Sequence, residues 1–220
     1  MGRGNATLGG LSEKPTAMIE NTPEMVDMVF DLEGGTLPAE YRVALWDALL
    51  GQVPQLAEEN LVGVLPLRST VSSQGMLLAK RAKLVMRLPT TLAGSAASGL
   101  RGQQLDIGGS TMRVGDAKKR PIQPYPTIHA ELVTGSDDEV LFVEDIKKQM
   151  EKLGVAGKLI CGKRVTVNSG QRSIHGYSLV LHDLKPEASL LLQYSGLGVD
   201  RQFGCGIFIP YKVITGLSED

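Results

Sequence analysis

Hydrophobic and polar residues in the first half of the chain follow a strand-like pattern and then a helix-like one. Residues 25–32 are apolar apart from two aspartates, which predicts a strand. Thr36 is suited to cap a helix and Pro38 to its first turn. The helix presents one apolar stripe, made of Leu37, Tyr41, Ala44, Leu45, Ala48 and Leu49. Residues 61–67 predict the next strand.

The segment 76–88 (MLLAKRAKLVMRL) predicts a strand whose two faces differ in charge. From residue 80 onward, apolar side chains occupy one face: Ala82, Leu84, Met86 and Leu88. Three cations share the other face with a valine: Arg81, Lys83, Arg87 and Val85. Three cations on one pleated face need solvent or an anion beside them.

A ferredoxin-like order, β-α-β-β-α-β, follows from the remaining elements of this half. A weak helix is predicted at 91–100, and strand segments at 105–107 and 111–114. Residues 118–121 (KKRP) are interpreted as a linker, after which the pattern begins again.

The second half repeats this order. Its predicted elements are a strand at 127–133, a helix opened by a capping box of Ser136 and Glu139, two strands at 158–167 and 173–181 around a hairpin turn at 168–170, a helix at 185–194 and a strand at 206–213.

The sequence therefore predicts an α+β protein made of two tandem ferredoxin-like (RRM-like) β-α-β-β-α-β halves. The first half covers residues 24–120 and the second residues 121–215. Residues 1–23 are rich in Gly, Thr, Asn and Pro without periodicity, which is typical of a flexible leader.

Charge alternates along the chain although the net charge is only -1. Residues 1–60 hold 3 Lys/Arg against 10 Asp/Glu, residues 61–130 hold 10 against 2, and residues 155–212 hold 7 against 3. Such alternation allows one basic face that suits nucleic acid on a near-neutral protein. Scattered surface charge is the simpler alternative.

Several classes of protein are disfavoured by composition. No apolar run approaches the roughly 18 residues of a membrane helix, so no membrane association is expected. The two cysteines, Cys161 and Cys205, are too few for a disulfide framework and match no zinc spacing, which favours a reducing cytoplasm. We expect no metal site and no cofactor.

Glycines cluster between the last predicted helix and strand, in a loop at 196–210. Gly196, Gly198, Gly204 and Gly206 surround Arg201. Glycines permit positive φ and expose N–H donors as an anion-binding nest, which predicts phosphate contact. The segment follows a helix and opens a strand, so it is not a dinucleotide fingerprint.

This segment resembles the glycine-rich loop of the repeat-associated RNA-binding superfamily of CRISPR systems. Nearly everything from Val26 to Lys212 is similar to the repeat-RNA-processing endoribonucleases of that superfamily (the "Cas six" family, in its myxan subtype). Stretches that carry the resemblance, besides the loop, are 26–32, 35–38, 78–89, 154–162 and 176–184.

The resemblance implies tandem ferredoxin-like folds that bind a CRISPR repeat hairpin and cut at its base without a metal. In this chemistry the repeat's 2′-OH attacks the adjacent phosphorus and leaves a 2′,3′-cyclic phosphate. It also implies that the product often stays bound, so that the protein becomes a subunit of an interference (Cascade-type) complex.

Catalytic candidates are fewer than the resemblance would suggest. Many relatives use a histidine of the first helix as the general base, and Tyr41 stands at the equivalent position here. A phenol with a pKa near 10 is a poor base at neutral pH, and Tyr41 equally fits a core position. His175, near the start of a strand, and His129, on the polar side of its strand, are the other candidates.

Cationic candidates for RNA contact are Arg81, Lys83 and Arg87, followed by Lys163, Arg164 and Arg201. A charged, solvated edge strand is the alternative for the first three. Two further functions remain open: a catalytically weak subunit that only holds the hairpin and anchors a complex, and an unrelated scaffold that binds a protein partner.

Overall fold

A computed structural model of the chain describes residues 22–72, 75–169 and 172–211. The described residues form two halves, each with a main antiparallel sheet that packs against two helices. The predicted leader at 1–23, except for its last two residues, lies outside the described residues.

The first half contains eight strands and two helices in the described residues. Their bounds are β1 Met25–Glu33, β2 Thr36–Leu37, α1 Tyr41–Gln52, β3 Gly63–Val64, β4 Ser69–Ser72, β5 Gly75–Leu78, β6 Lys83–Pro89, α2 Ala93–Leu100, β7 Gln104–Ile107 and β8 Ser110–Pro121. The main sheet has the order β3-β6-β1-β8-β7, and β2, β5 and β4 form a small separate sheet.

The second half contains four strands and two helices in the described residues. Their bounds are β9 Ile128–Thr134, α3 Glu139–Lys152, β10 Lys158–Ser169, β11 Arg172–His182, α4 Pro186–Ser195 and β12 Ile209–Pro210. The sheet order is β10-β11-β9-β12. This order, and β3-β6-β1-β8 in the first half, confirm the α+β, tandem ferredoxin-like prediction.

Each half has its own hydrophobic core, because apolar side chains alternate along the strands and share one face of each main sheet. In the first half, Phe30 pairs with Leu84 across β1 and β6, and both are fully buried. In the second half, Phe142 of α3 and Leu191 of α4 are fully buried in the same cluster as the strand residue Leu181.

The second-half sheet also has apolar residues outside that main core. Leu132, Ile174 and Cys205 form a separate buried cluster, against which Phe203 of the glycine-rich segment packs. This cluster holds that segment against the sheet.

Two segments differ from their sequence-based predictions in the first half. The predicted strand at 76–88 is β5, a turn and β6, and the turn is closed by a bond from the Ala82 N–H to the Ala79 carbonyl. The predicted linker at 118–121 is wrong, because these residues continue β8 and pair with β1 from Val26 to Val29.

Helix starts also differ from prediction. Asp138, and not Ser136, caps α3 by accepting bonds from the N–H groups of Val140 and Leu141. Thr36 lies in strand β2 and does not cap α1, which begins at Tyr41. The predicted strand at 61–67 is reduced to β3, and the described part of the one at 206–213 is reduced to β12.

Candidate functional site

The glycine-rich segment 196–206 connects α4 to the strand β12 region and includes a 3-10 turn at Arg201–Phe203. Its four glycines have φ values of 69° at Gly196, 74° at Gly198, 84° at Gly204 and 63° at Gly206. L side chains rarely adopt this left-handed region, whereas glycine does so without steric cost. The backbone path of the segment therefore depends on glycine.

Close packing within the protein adds a second requirement for glycine. A Cβ atom at Gly206 would lie 2.1 Å from the Leu197 carbonyl oxygen, and one at Gly198 would lie 2.9 Å from the Thr134 carbonyl oxygen. Both neighbours are backbone atoms of the same chain. The glycines let the segment fold closely on itself and on β9.

The N–H groups of these glycines already have acceptors. Gly196 donates to the Leu192 carbonyl at 2.9 Å and Gly198 to Gln149 Oε1 at 2.9 Å. Gly204 and Gly206 donate to the carbonyls of Arg201, at 2.9 Å, and Leu132, at 2.8 Å. These internal bonds argue against an anion-binding nest built from the four amides, and contact of the segment with RNA stays a prediction.

Replacing Gly206 with alanine should lower the free energy of unfolding by about 2–4 kcal/mol, measured by urea denaturation, because left-handed strain adds to the contact with Leu197. Gly109 is a matched control: its φ is 86°, but no atom lies within 4 Å of an added Cβ. Gly109→Ala should cost only about 1–2 kcal/mol. Equal losses would show that close packing of the segment does not require glycine.

Arg87 is buried, with 1% of its surface exposed. Its Nε atom lies 2.7 Å from Asp27 Oδ1, and its Nη1 donates to the carbonyls of Gln193, at 3.2 Å, and Phe208, at 2.6 Å. This burial argues against the predicted contact of Arg87 with phosphate. Its face of β6 was assigned correctly, but the second half covers that end of the face.

Arg201 is also buried, with 6% exposed, which argues against its predicted contact with RNA as well. Its Nε donates to the Leu61 carbonyl at 3.2 Å and its Nη1 to the Gly206 carbonyl at 3.4 Å. Nη2 has no hydrogen-bond acceptor among the described residues. Burial lowers the pKa of Arg201 to about 9 from its ordinary 12.5, and the group still carries its charge at neutral pH.

Other predicted cations remain at the surface. Arg81 is exposed in the turn before β6, and Lys83 forms an exposed ion pair with Asp31. Lys118 of β8, which pairs with Val29 opposite, adds a further exposed cation near Asp31. Sequence reasoning missed Lys118 on this face because it interpreted residues 118–121 as a linker.

The two cations predicted in the second half lie on strand β10. Lys163 and Arg164 are exposed, and Arg164 pairs with Asp137 at the start of α3. These side chains are accessible to solvent, so their contact with RNA stays a prediction.

Tyr41 is a core residue, with 3% of its surface exposed. Its hydroxyl accepts a 2.9 Å hydrogen bond from the Leu67 N–H. Burial raises the pKa of Tyr41 above 10, which disfavours the phenolate further. Burial and the raised pKa argue against Tyr41 as a general base, and its alternative placement in the core is confirmed.

His129 lies on β9 with its ring half-buried against Tyr211, at a centroid distance of 5.2 Å and an edge-on angle of 71°. Burial lowers the pKa of His129 from its ordinary value, which disfavours the protonated ring. Packing on an aromatic side chain favours a structural role, and catalysis by His129 stays an untested prediction.

His175 borders a groove of about 360 Å³ beside the glycine-rich segment. The walls come from β9, α3, β11 and the segment itself, and include Thr134, Arg172, Ser173, Gly198 and Asp200. This groove brings together only two of the site residues predicted from the sequence, His175 and Gly198.

Two basic side chains that line this groove lie beside carboxylates. His175 Nε2 lies 3.7 Å from Asp137 Oδ2, and Arg172 Nη2 lies 2.9 Å from Asp200 Oδ2. At 3.7 Å, the Asp137 carboxylate lies close to the His175 ring but beyond hydrogen-bond distance. Sequence reasoning missed Arg172, Asp200 and Asp137, although Arg172 follows the predicted hairpin turn directly and Asp200 lies within the glycine-rich segment.

His182 borders a second groove of about 730 Å³, formed by α3 and β10 with Lys147 and Lys158 on its rim. Its Nδ1 lies 3.3 Å from Asp183 Oδ1. This groove contains no residue of the glycine-rich segment, which separates it from the groove at His175.

Within residues 22–72, 75–169 and 172–211, no group of three or more His, Cys, Asp or Glu side chains is arranged to hold a metal ion. No helix in the same ranges is both long and apolar enough to cross a membrane.

Comparisons with known proteins agree with this arrangement of elements. A family model described as "Cas6 Crispr" matches residues 26–213. The "CRISPR-associated endonuclease Cas6" of Myxococcus xanthus (strain DK1622) is 32% identical over 192 residues, which cover 86% of this chain and 83% of that protein.

Solved structures with the same fold are far more distant in sequence. "An RAMP protein binding different RNA substrates" has a TM-score of 0.64 at 12% identity, covering 83% of this chain and 98% of its own. "Characterization of a Cas6-related gene from Pyrococcus furiosus" has a TM-score of 0.63 at 12% identity, covering 85% and 98%. At such identity these likenesses show the fold alone.

Proposed function

Because the chain belongs to the Cas6 family, we propose that it matures CRISPR RNA as a metal-independent endoribonuclease. It binds the repeat hairpin of the precursor transcript in the cytoplasm and cuts at its base. The 32% identity to an endonuclease of that family, over most of both chains, is the observation that carries this proposal. The same membership contradicts the alternative of an unrelated scaffold.

The proposed chemistry is an internal transfer at phosphorus. The 2′-oxygen bonds to the adjacent phosphorus as the bond to the 5′-oxygen breaks, which yields a 2′,3′-cyclic phosphate and a 5′-hydroxyl. A base accepts the 2′ proton, an acid supplies a proton to the leaving oxygen, and cations stabilise the phosphorane. The RNA supplies the phosphorus and both oxygens, and the side chains accept and donate the protons, so no cofactor is needed.

We assign these roles to the groove beside the glycine-rich segment. His175 lies at its edge, with Nε2 3.7 Å from Asp137 Oδ2, and it is the proposed acid or base. Arg172 lines the same groove and is the proposed cation for the phosphate, which would take the place of its present partner Asp200. The exposed cations Arg81, Lys83 and Lys163 are proposed contacts for the flanking RNA backbone.

The cleavage assay that tests this proposal uses labelled repeat RNA with the purified protein in EDTA. We expect one cut at the base of the hairpin, with a cyclic phosphate on the upstream fragment, and no effect of the chelator. The repeat with a 2′-deoxy substitution at the cut should resist cleavage, because it lacks the nucleophile. If micromolar protein leaves the unmodified repeat intact, the catalytic part of the proposal is wrong.

A second function is favoured by the burial of Tyr41 at the position where many relatives have a histidine. In this alternative, the protein cuts weakly and serves as a repeat-binding subunit of an interference complex. Tight, salt-sensitive binding of the hairpin without cleavage would support it. Retention of the cut product and assembly with other subunits of that complex are proposals common to both functions.

A further inference from the structure

Two arginines of the first half donate hydrogen bonds across the boundary between the two halves, here called the seam. Their acceptors lie in the glycine-rich segment and on either side of it. Arg42 of α1 donates from Nη1 to the Phe203 carbonyl at 2.7 Å. Arg87 of β6 donates to the carbonyl of Gln193, just before the segment, and to that of Phe208, just after it. The first half thus holds the segment at its middle and at both flanks.

Arg201 makes the same kind of contact in the opposite direction. It belongs to the segment and donates to the Leu61 carbonyl of the first half, while its Nη1 also bonds to the Gly206 carbonyl. The two halves approach closely here: a Cβ at Gly63 would lie 2.7 Å from Ile207 Cδ1. Three guanidinium groups therefore cross one seam, and each bonds to backbone carbonyls.

Two of these three guanidinium groups, those of Arg87 and Arg201, are buried. A buried guanidinium is costly unless its donors find acceptors, and hydrogen bonds from charged groups exceed those between neutral groups. Asp27 neutralises Arg87, and Arg120 also bonds that carboxylate at 2.9 Å. A segment held this way has little freedom to move relative to the first half.

We propose that Arg42, Arg87 and Arg201 form an interdomain clasp that positions the glycine-rich segment. The clasp fixes the groove's rim at Gly198 and Asp200 relative to the exposed cations Arg81 and Lys83, so that one rigid surface meets a hairpin lying across both halves. These arginines are positioning residues and do not contact RNA. The consequence for cleavage rests on the proposed function, whereas the clasp itself is a property of the free protein.

Hydrogen exchange of the free protein tests the clasp without RNA. In Arg42→Met and Arg201→Met, we expect the amides of Gly204 and Gly206 to exchange about ten- to a hundredfold faster, because a charge-assisted bond that holds the segment is lost. Arg101→Met is the control, since Arg101 forms an exposed ion pair with Asp116 away from the seam. Unchanged exchange in both clasp variants would overturn the proposal.

Salt dependence of repeat-RNA binding separates positioning from contact. The clasp variants should bind more weakly with an unchanged slope of log Kd against log salt, because no phosphate contact is removed. Arg172→Met, as a proposed contact, should reduce the slope by about 0.7–0.9. If Arg201→Met reduces the slope by that amount and leaves exchange unchanged, Arg201 binds phosphate and the clasp is wrong.

The hydrogen-exchange and RNA-binding experiments test the clasp and the proposed function separately. Arg42 is only half-buried, so its variant retains a folded protein for both measurements even where Arg201→Met does not. If the wild-type protein binds no repeat RNA, the proposed function fails, and the exchange measurement still decides whether the clasp exists.

Discussion

Replacing Arg87 with methionine should lower the free energy of unfolding by about 3–5 kcal/mol, measured by urea denaturation. The variant leaves the carboxylate of Asp27, which is 4% exposed, with Arg120 as its remaining cationic partner. It also removes the donors to the Gln193 and Phe208 carbonyls, which join the two halves. The loss is large because a buried charge and two buried acceptors are affected together.

Two control variants identify the cause of that loss. Arg101→Met removes an exposed ion pair and should cost less than about 1 kcal/mol. Combining Asp27→Asn with Arg87→Met should recover part of the stability, because the buried carboxylate that would be left with Arg120 alone is then replaced by a neutral amide. A loss below about 1 kcal/mol in Arg87→Met alone would contradict the structural role of this residue.

The ion pair of Asp27 and Arg87 also makes the free energy of unfolding depend on pH. Burial alone would raise the pKa of Asp27, but the guanidiniums of Arg87 and Arg120 outweigh it and hold that pKa below 3.8. The ionised carboxylate therefore contributes stability that is present above the unfolded-state value. That contribution is lost as the pH falls below 3.8 through the folded-state pKa.

Replacing His175 with glutamine should slow repeat cleavage by about 10²–10⁴-fold, the usual effect of removing a general acid or base. Glutamine keeps a polar side chain of similar size beside Asp137, so hairpin affinity should stay within about twofold. Single-turnover cleavage with labelled repeat RNA measures the rate, and equilibrium binding measures the affinity. A rate loss without an affinity loss assigns His175 to the reaction itself.

His182→Gln is the matched control, because His182 also lies next to a carboxylate and borders a groove. Its cleavage rate should stay within about twofold of the wild type. If His182→Gln loses activity and His175→Gln does not, the reaction belongs to the second groove and our assignment is wrong. Equal activity of all three proteins would indicate cleavage that relies on cations and geometry alone.

The sequence predicted the two ferredoxin-like halves well because their signals are local. Alternation on β6 and the apolar periodicity of α1 and α3 depend on the chain's own spacing. The strand at 76–88 was predicted too long, because the turn that interrupts it between Ala79 and Ala82 contains no glycine or proline. The linker at 118–121 was predicted from charge, which does not prevent a strand from continuing at a sheet's exposed end.

The candidate site was harder to predict because it depends on what each face meets after folding. Lys83 and Arg87 share one face of β6, yet one remains in solvent and the other lies under the second half. Glycine spacing located a loop at 196–210, but the amides of Gly198 and Gly206 find their acceptors on α3 and β9, which are distant in sequence. Sequence periodicity contains no information about such tertiary partners.

The clasp has an asymmetry with consequences for sequence divergence. Its donors are specific side chains, while its acceptors at Leu61, Phe203 and Phe208 are peptide oxygens, which every amino acid supplies. Substitutions at an acceptor position leave the oxygen in place wherever the backbone path is kept. We therefore expect homologues to vary in amino acid at the acceptor positions and to keep arginine at the donor positions.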